Sequence, residues 1–151
     1  MRWMGGRASD SCGRRPGNNR CVVETIRVLL VDDDPTVLKG LRMRLLLAPD
    51  VEVIGEAVDG REAIALTSEL RPDVVLLDIN MPGMNGVEAC SEIATGTAET
   101  RVVMLSLHDD ALMRERCAAA GAAGFVGKQE AAQALLPAIR EAAGHAARPP
   151  M

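Results

Sequence analysis

Four short apolar runs in this chain each stop at a polar residue: IRVLLV before Asp32, DVVLL before Asp78, RVVML before Ser106 and GFVG before Lys128. Runs that are apolar at consecutive positions suit strands buried on both faces, as in a parallel sheet covered by helices. Between them lie stretches with apolar residues at helical spacing, long enough for the crossovers that parallel strands require. The composition agrees. One Phe, one Trp and no Tyr oblige the core to be built from Val, Leu, Ile, Ala and Met.

A fifth run, VEVIGEA at residues 51–57, alternates like a less buried strand. Strands are therefore expected at 26–31, 51–57, 73–78, 101–107 and 124–127. The first helix should start at Asp34-Pro35, an acidic cap with proline at the first helical position. It carries Val37, Leu38, Leu41, Leu45 and Leu46 on its apolar side and stops near Ala48-Pro49. A second helix carries Ala63, Ile64 and Leu66 as far as Leu70. The others are expected at 87–94, 109–120 and 131–143. Five strands alternating with five helices make a (βα)5, doubly wound α/β fold with right-handed crossovers in a single domain. Its expected span is 26–143, with a short tail at 144–151.

Residues 1–25 have no apolar period and read as a disordered basic extension. Five arginines against Asp10 and Glu24 give that segment a balance of +3, which leaves −7 for residues 26–151. An acidic body offers little to a nucleic-acid backbone, so direct nucleic-acid binding is not expected. No run approaches the roughly 18 apolar residues of a membrane span. The basic start has no apolar block behind it, so a secretory leader is not expected either. Cys12, Cys21, Cys90 and Cys117 lack metal-ligand or paired spacing and read as reduced thiols in a cytoplasm.

In doubly wound sheets ligands sit beyond the carboxyl ends of the strands, at the point where strand order reverses. Asp32, Asp33, Asp78, Ser106 and Lys128 all fall there. Two carboxylates about 5 Å apart repel by roughly 3 kcal/mol at an effective dielectric near 20. Three gathered together call for a cation or a raised pKa. An all-oxygen acidic site suits a hard divalent ion, Mg²⁺ before others, because it keeps its waters for a phosphate. Lys128 is one of only two lysines among seventeen basic residues, and a compact ammonium suits a phosphoryl oxygen. Ser106 adds a hydroxyl. Each signal has a plainer alternative: the aspartate run or Asp78 as helix caps, Ser106 as a strand-end hydroxyl, Lys128 as a solvated lysine. Their convergence on one rim favours phosphoryl-transfer chemistry.

The segments VLLVDDDP, DVVLLDINMPGMNG, VVMLSL and AAGAAGFVGK resemble the response-regulator receiver family, in family order over residues 26–143. LAPDVEVIGEAVDGREAI resembles the branch that precedes LuxR-type helix-turn-helix output domains. The resemblance implies a flavodoxin-like fold and a two-component phosphorelay, in which Asp78 takes a phosphoryl group from a sensor histidine kinase. It also implies Mg²⁺ held by Asp33 and Asp78 directly, by the Asn80 carbonyl, and by Asp32 through water. Lys128 and Ser106 would hold the phosphoryl oxygens, so that Asp78 and Lys128 carry the transfer chemistry. As Ser106 moves toward the phosphate, Phe125 would turn inward into the space it leaves. That would reshape the face of the fourth helix, fifth strand and fifth helix for an effector or output domain. Such a protein assists its own phosphorylation and dephosphorylation and is not otherwise an enzyme. Asn80 and His108 would flank the site where family members tune dephosphorylation. A phosphorylation-dependent homodimer stays open.

Gln129 follows Lys128 where many receivers have proline, often after a cis peptide, so that bond's geometry is open. Only GHAARPPM follows Ala143, which leads us to expect a stand-alone receiver or a receiver cut from a DNA-binding regulator. The rival reading is a haloacid-dehalogenase-like phosphatase with Asp32 as nucleophile. Pro35 stands where that family has glycine, and no chain is left for a substrate-covering cap. A flavodoxin-like binding module would need a phosphate loop after the first strand, which is missing.

Overall fold

The computed structural model describes residues 25–81, 83–97, 99–107 and 111–144. In them β1 (Ile26–Val31), α1 (Pro35–Leu46), β2 (Val51–Ala57), α2 (Gly60–Leu70), β3 (Val74–Asp78), α3 (Gly86–Gly96), β4 (Arg101–Ser106), α4 (Ala111–Ala119), β5 (Gly124–Gly127) and α5 (Ala131–Ala142) follow one another, with a 3-10 turn at Lys128–Glu130. The strands form one parallel sheet in the order β2-β1-β3-β4-β5. The expected doubly wound, flavodoxin-like architecture is present. The chain steps from β1 to β2 on one side and then returns to β3 on the other, so the strand order reverses between β1 and β3.

Both faces of the sheet are buried, and alternate residues of each strand feed opposite layers. Val28, Leu30, Val74, Leu76, Val103, Leu105 and Val126 pack with Leu38, Leu41 and Leu45 of α1 and Leu135 and Ile139 of α5. Leu29, Val31, Val75, Leu77, Val102 and Met104 pack with Ala63 of α2, Ala89, Cys90 and Ile93 of α3 and Cys117 of α4. This two-sided burial is why the strands read as unbroken apolar runs.

Local signals set the helix starts. Asp34 accepts from the Thr36 amide at 2.9 Å with Pro35 at the first helical position. Asn85 and Glu88 form a reciprocal capping box at α3. Several expected bounds need correcting. Leu46 does not face the core: Leu38, Leu41 and Leu45 hold that side of α1, and Leu46, a further 100° round the helix, is 75% exposed. β3 starts at Val74, and at the strand entrance the Asp73 side chain accepts from the Arg27 amide at 2.9 Å. β4 ends at Ser106, and Leu107 is exposed. α3 is longer than expected at both ends.

All of the expected disordered extension at 1–25 except Thr25, the tail beyond residue 144, and Asp109 and Asp110 at the expected start of α4 lie outside the described residues, as do His108, Cys12 and Cys21. Cys90 and Cys117 are free and buried, and burial, followed by the charge of Cys117, pushes the Cys90 thiol up to about 12. Among the described residues no helix is long and apolar enough to cross a membrane.

Candidate functional site

The three consecutive aspartates divide their work. Asp32 continues β1 by one residue, donating its amide to Ala57 O at 3.1 Å, and is only 1% exposed. Its Oδ1 accepts from the Asp34 amide at 2.9 Å and its Oδ2 from Lys128 Nζ at 2.9 Å. Asp33 is exposed, and Asp34 is the α1 cap. The helix-cap alternative for this run therefore holds for Asp34 alone.

Asp78 ends β3, the strand next to β1, and is buried. Beyond it the Ile79 amide donates to Leu105 O at 3.0 Å, and the Gly86 amide donates to Ile79 O at 2.8 Å. The start of α3 is thereby pressed against the phosphoacceptor candidate's own backbone. A Cβ on Gly86 would stand 2.3 Å from Asp78 O and 2.6 Å from Ile79 Cα, both backbone atoms, so only glycine fits. The Asn80 amide donates to Asp78 Oδ1 at 3.3 Å, while the Asn80 residue is exposed.

Lys128 opens the 3-10 turn after β5 and reaches across β4 to the β1–β3 junction. Its Nζ lies 2.9 Å from Asp32 Oδ2 and 3.2 Å from Asp78 Oδ1. Burial opposes its charge, but the hydrogen bond from Asp32 and the charge of Asp78 overcome that and hold the ammonium above the usual lysine value. Asp78 is held above the usual carboxylate value, first by burial and then by the charge of Asp32, against the opposing pull of Lys128. One oxygen from each of Asp32, Asp33 and Asp78 lies within 4.8 Å of the others. Two buried carboxylates, one exposed carboxylate and no nitrogen or sulfur donor fit a hard divalent cation.

Ser106 is buried at the end of β4, paired across the sheet with Gly127. Phe125 pairs with Met104 two residues back along the same two strands and is partly buried. The Arg114 guanidinium carbon stands 4.5 Å from the Phe125 ring centroid. The described residues contain no cis peptide bond, so Lys128–Gln129 is trans.

The expected residues thus meet on one rim, with Asp32, Asp33, Asp78 and Lys128 in a single cluster, Asn80 bonded to it through its amide, Ser106 at the adjacent strand end, and Phe125 one layer below. Sequence reasoning missed two residues. Gly86 was legible as the last glycine of DINMPGMNG, but its steric reason needs the approach of α3. Arg114 carries no local signal, because its partner lies eleven residues away in the next strand.

Residues 28–140 match the family described as response regulator receiver domain. The chain is 36% identical over 120 residues to the nitrate/nitrite response regulator protein NarL of Escherichia coli, covering 80% of this chain and 56% of that protein. It is 40% identical over 115 residues to the response regulator UvrY of Escherichia coli, covering 76% and 53%. It spans about half the length of the curated relatives it matches. Its fold superposes on the response regulator domain of Thermotoga maritima CheB with a TM-score of 0.74 at 36% identity, covering 80% of this chain and 98% of that one.

Proposed function

Because the chain belongs to the response regulator receiver family, we propose that it takes a phosphoryl group on Asp78 from a sensor histidine kinase and passes that state to an output. The observation that carries this reading is the buried Asp78 carboxylate at the strand-order switch, 3.2 Å from a lysine ammonium and beside two further carboxylates.

In the transfer, an Asp78 carboxylate oxygen attacks the phosphorus of the kinase's phosphohistidine. The phosphorus–nitrogen bond breaks, imidazole leaves, and an acyl phosphate forms on Asp78. Asp33 and Asp78, the Asn80 carbonyl and, through water, Asp32 would hold Mg²⁺, which when bound supplies positive charge to the phosphoryl oxygens. Lys128 exchanges its contact with Asp78 Oδ1 for a phosphoryl oxygen and keeps Asp32 as its anchor. The Ser106 hydroxyl donates to a second phosphoryl oxygen. Phe125 follows into the vacated space, and the α4–β5–α5 face changes shape for an effector or output domain.

Since the chain spans only part of its relatives, any DNA contact belongs to such an output domain. A kinase partner of this kind implies action in the cytoplasm. The protein acts as a phosphoacceptor that assists its own chemistry. The phosphatase alternative is not favoured: residues 28–140 match the receiver family, and both Asp32 oxygens are already engaged. Incubation with radiolabelled acetyl phosphate and Mg²⁺ tests the proposal. The wild type takes up label and Asp78→Asn does not; equal labelling of both would overturn it.

A further inference from the structure

Phe125 is the one phenylalanine in the chain, and a charge is seated on it: the Arg114 guanidinium carbon is 4.5 Å from the ring centroid. Two features of the fold give that contact a consequence. The first is register. Phe125 stands opposite Met104 and Gly127 opposite Ser106. Alternate residues of a strand share a face, so Phe125, Gly127 and Ser106 all point to the side covered by α2, α3 and α4. Gly127 puts no side chain between the ring and the hydroxyl, which leaves Phe125 a path along β5 toward Ser106. The second is connectivity. Arg114 belongs to α4, the element that directly follows Ser106 in the chain. The guanidinium therefore sits on a ring whose strand register leads toward the hydroxyl.

We propose that Arg114 is a latch that holds Phe125 away from Ser106 until Asp78 is phosphorylated. This inference rests on the Ser106–Phe125 switch proposed above. The guanidinium stacks on the ring only in the resting position, so it stabilises the resting state alone and biases the equilibrium against activation. At an exposed site, a cation over an aromatic face amounts to a bias of about two- to fivefold. The Arg114 plane and fork matter, since lysine offers a point charge without stacking.

The test is a beryllofluoride and Mg²⁺ titration of the full chain, with Phe ring-labelled for NMR so that its single ring gives a single signal. Backbone amides near Asp78 report binding independently. Wild type, Arg114→Met, Arg114→Lys, Phe125→Leu and the Arg114→Met, Phe125→Leu double variant are compared. The latch predicts a binding midpoint about two- to fivefold lower in Arg114→Met, with Arg114→Lys in between and the resting ring signal displaced toward its beryllofluoride-bound position. In the Phe125→Leu background Arg114→Met should change nothing. An equal change with and without Phe125→Leu, a weaker midpoint, or no change in Arg114→Met overturns the latch while leaving the switch in place. If the wild-type ring signal ignores beryllofluoride while the Asp78 amides respond, the Phe125 switch is wrong and the latch falls with it.

Discussion

Lys128 Nζ bridges Asp32 Oδ2 at 2.9 Å and Asp78 Oδ1 at 3.2 Å, so one ammonium from the end of β5 joins the two buried carboxylates at the ends of β1 and β3. The metal-free fold therefore already contains part of the charge compensation that its acidic pocket needs. Lys128 is the counter-ion of this pair at rest, and the proposed chemistry would give it a second role as phosphoryl ligand once Asp78 is modified.

Replacing Lys128 with methionine keeps the stem and removes the charge. Without metal, the buried pair at Asp32 and Asp78 loses its partner, and the fold should lose about 1–3 kcal/mol, less than the roughly 3–5 kcal/mol for breaking a fully buried pair because Lys128 is partly exposed. If Mg²⁺ binds the folded cluster and not the unfolded chain, as proposed, it should recover more stability in Lys128→Met than in wild type. Urea melts with EDTA and with Mg²⁺ measure both quantities. No loss in EDTA would show that the bridge is a solvated contact.

The raised Asp78 pKa gives a pH dependence of definite sign. Folded Asp78 binds its proton more tightly than in the unfolded chain, where the ordinary value is 3.8. Its ionised form therefore costs stability above the raised folded value, and that cost is relieved as pH falls through it. Lys128, held above 10.5, contributes stability that is intact below 10.5 and lost only as alkaline pH passes its raised value. In EDTA near pH 7.5, Asp78→Asn should be more stable than wild type, and the gap should shrink as the pH falls toward 3.8. Urea melts across that range decide it; a gap that widens on acidification contradicts the desolvated carboxylate.

Asp33 contributes to the cluster from an exposed position, so its repulsion is screened by water. Asp33→Asn should raise metal-free stability by less than about 1 kcal/mol and lose most of the stabilisation that Mg²⁺ gives wild type. Glu69→Gln, an exposed change away from the pocket, is the control. Isothermal titration with Mg²⁺ alongside the melts checks the claim, which fails if Asp33→Asn binds Mg²⁺ as wild type does.

Two glycine-to-alanine changes should have opposite signs. Gly86→Ala forces a methyl into the Asp78 and Ile79 backbone, costing about 1–3 kcal/mol and slowing labelling of Asp78. Gly40→Ala, within α1 with nothing inside 4 Å of the added carbon, should gain about 0.5–1 kcal/mol. Thermal melts and a labelling time course measure the pair.

The strand ends were legible because strands buried on both faces are apolar without interruption, so the first polar residue marks the rim. That placed Asp32, Asp78, Ser106 and Lys128 together. The partition among the aspartates was not legible, since Asp32 is buried and Asp33 exposed only through the way α1 leaves β1 at the Asp34 cap. Asp50 accepts from Arg140 Nε at 2.8 Å and Nη2 at 2.9 Å, a pairing across 90 positions of sequence that no local pattern announces. Leu46 satisfies a helical period yet lies past the edge of the buried stripe. Periodicity fixes which residues can share a face, whereas the width of that face depends on what packs against it.

The phosphoryl group is expected to reside on Asp78, and locating it is the most direct measurement. The protein is incubated with acetyl phosphate and Mg²⁺, the acyl phosphate is trapped by borohydride reduction, and the modified peptide is sequenced by mass spectrometry. One modification is expected, at Asp78, absent when Mg²⁺ is replaced by EDTA. Modification at Asp32 or Asp34 in its place would contradict the receiver chemistry and return the phosphatase reading.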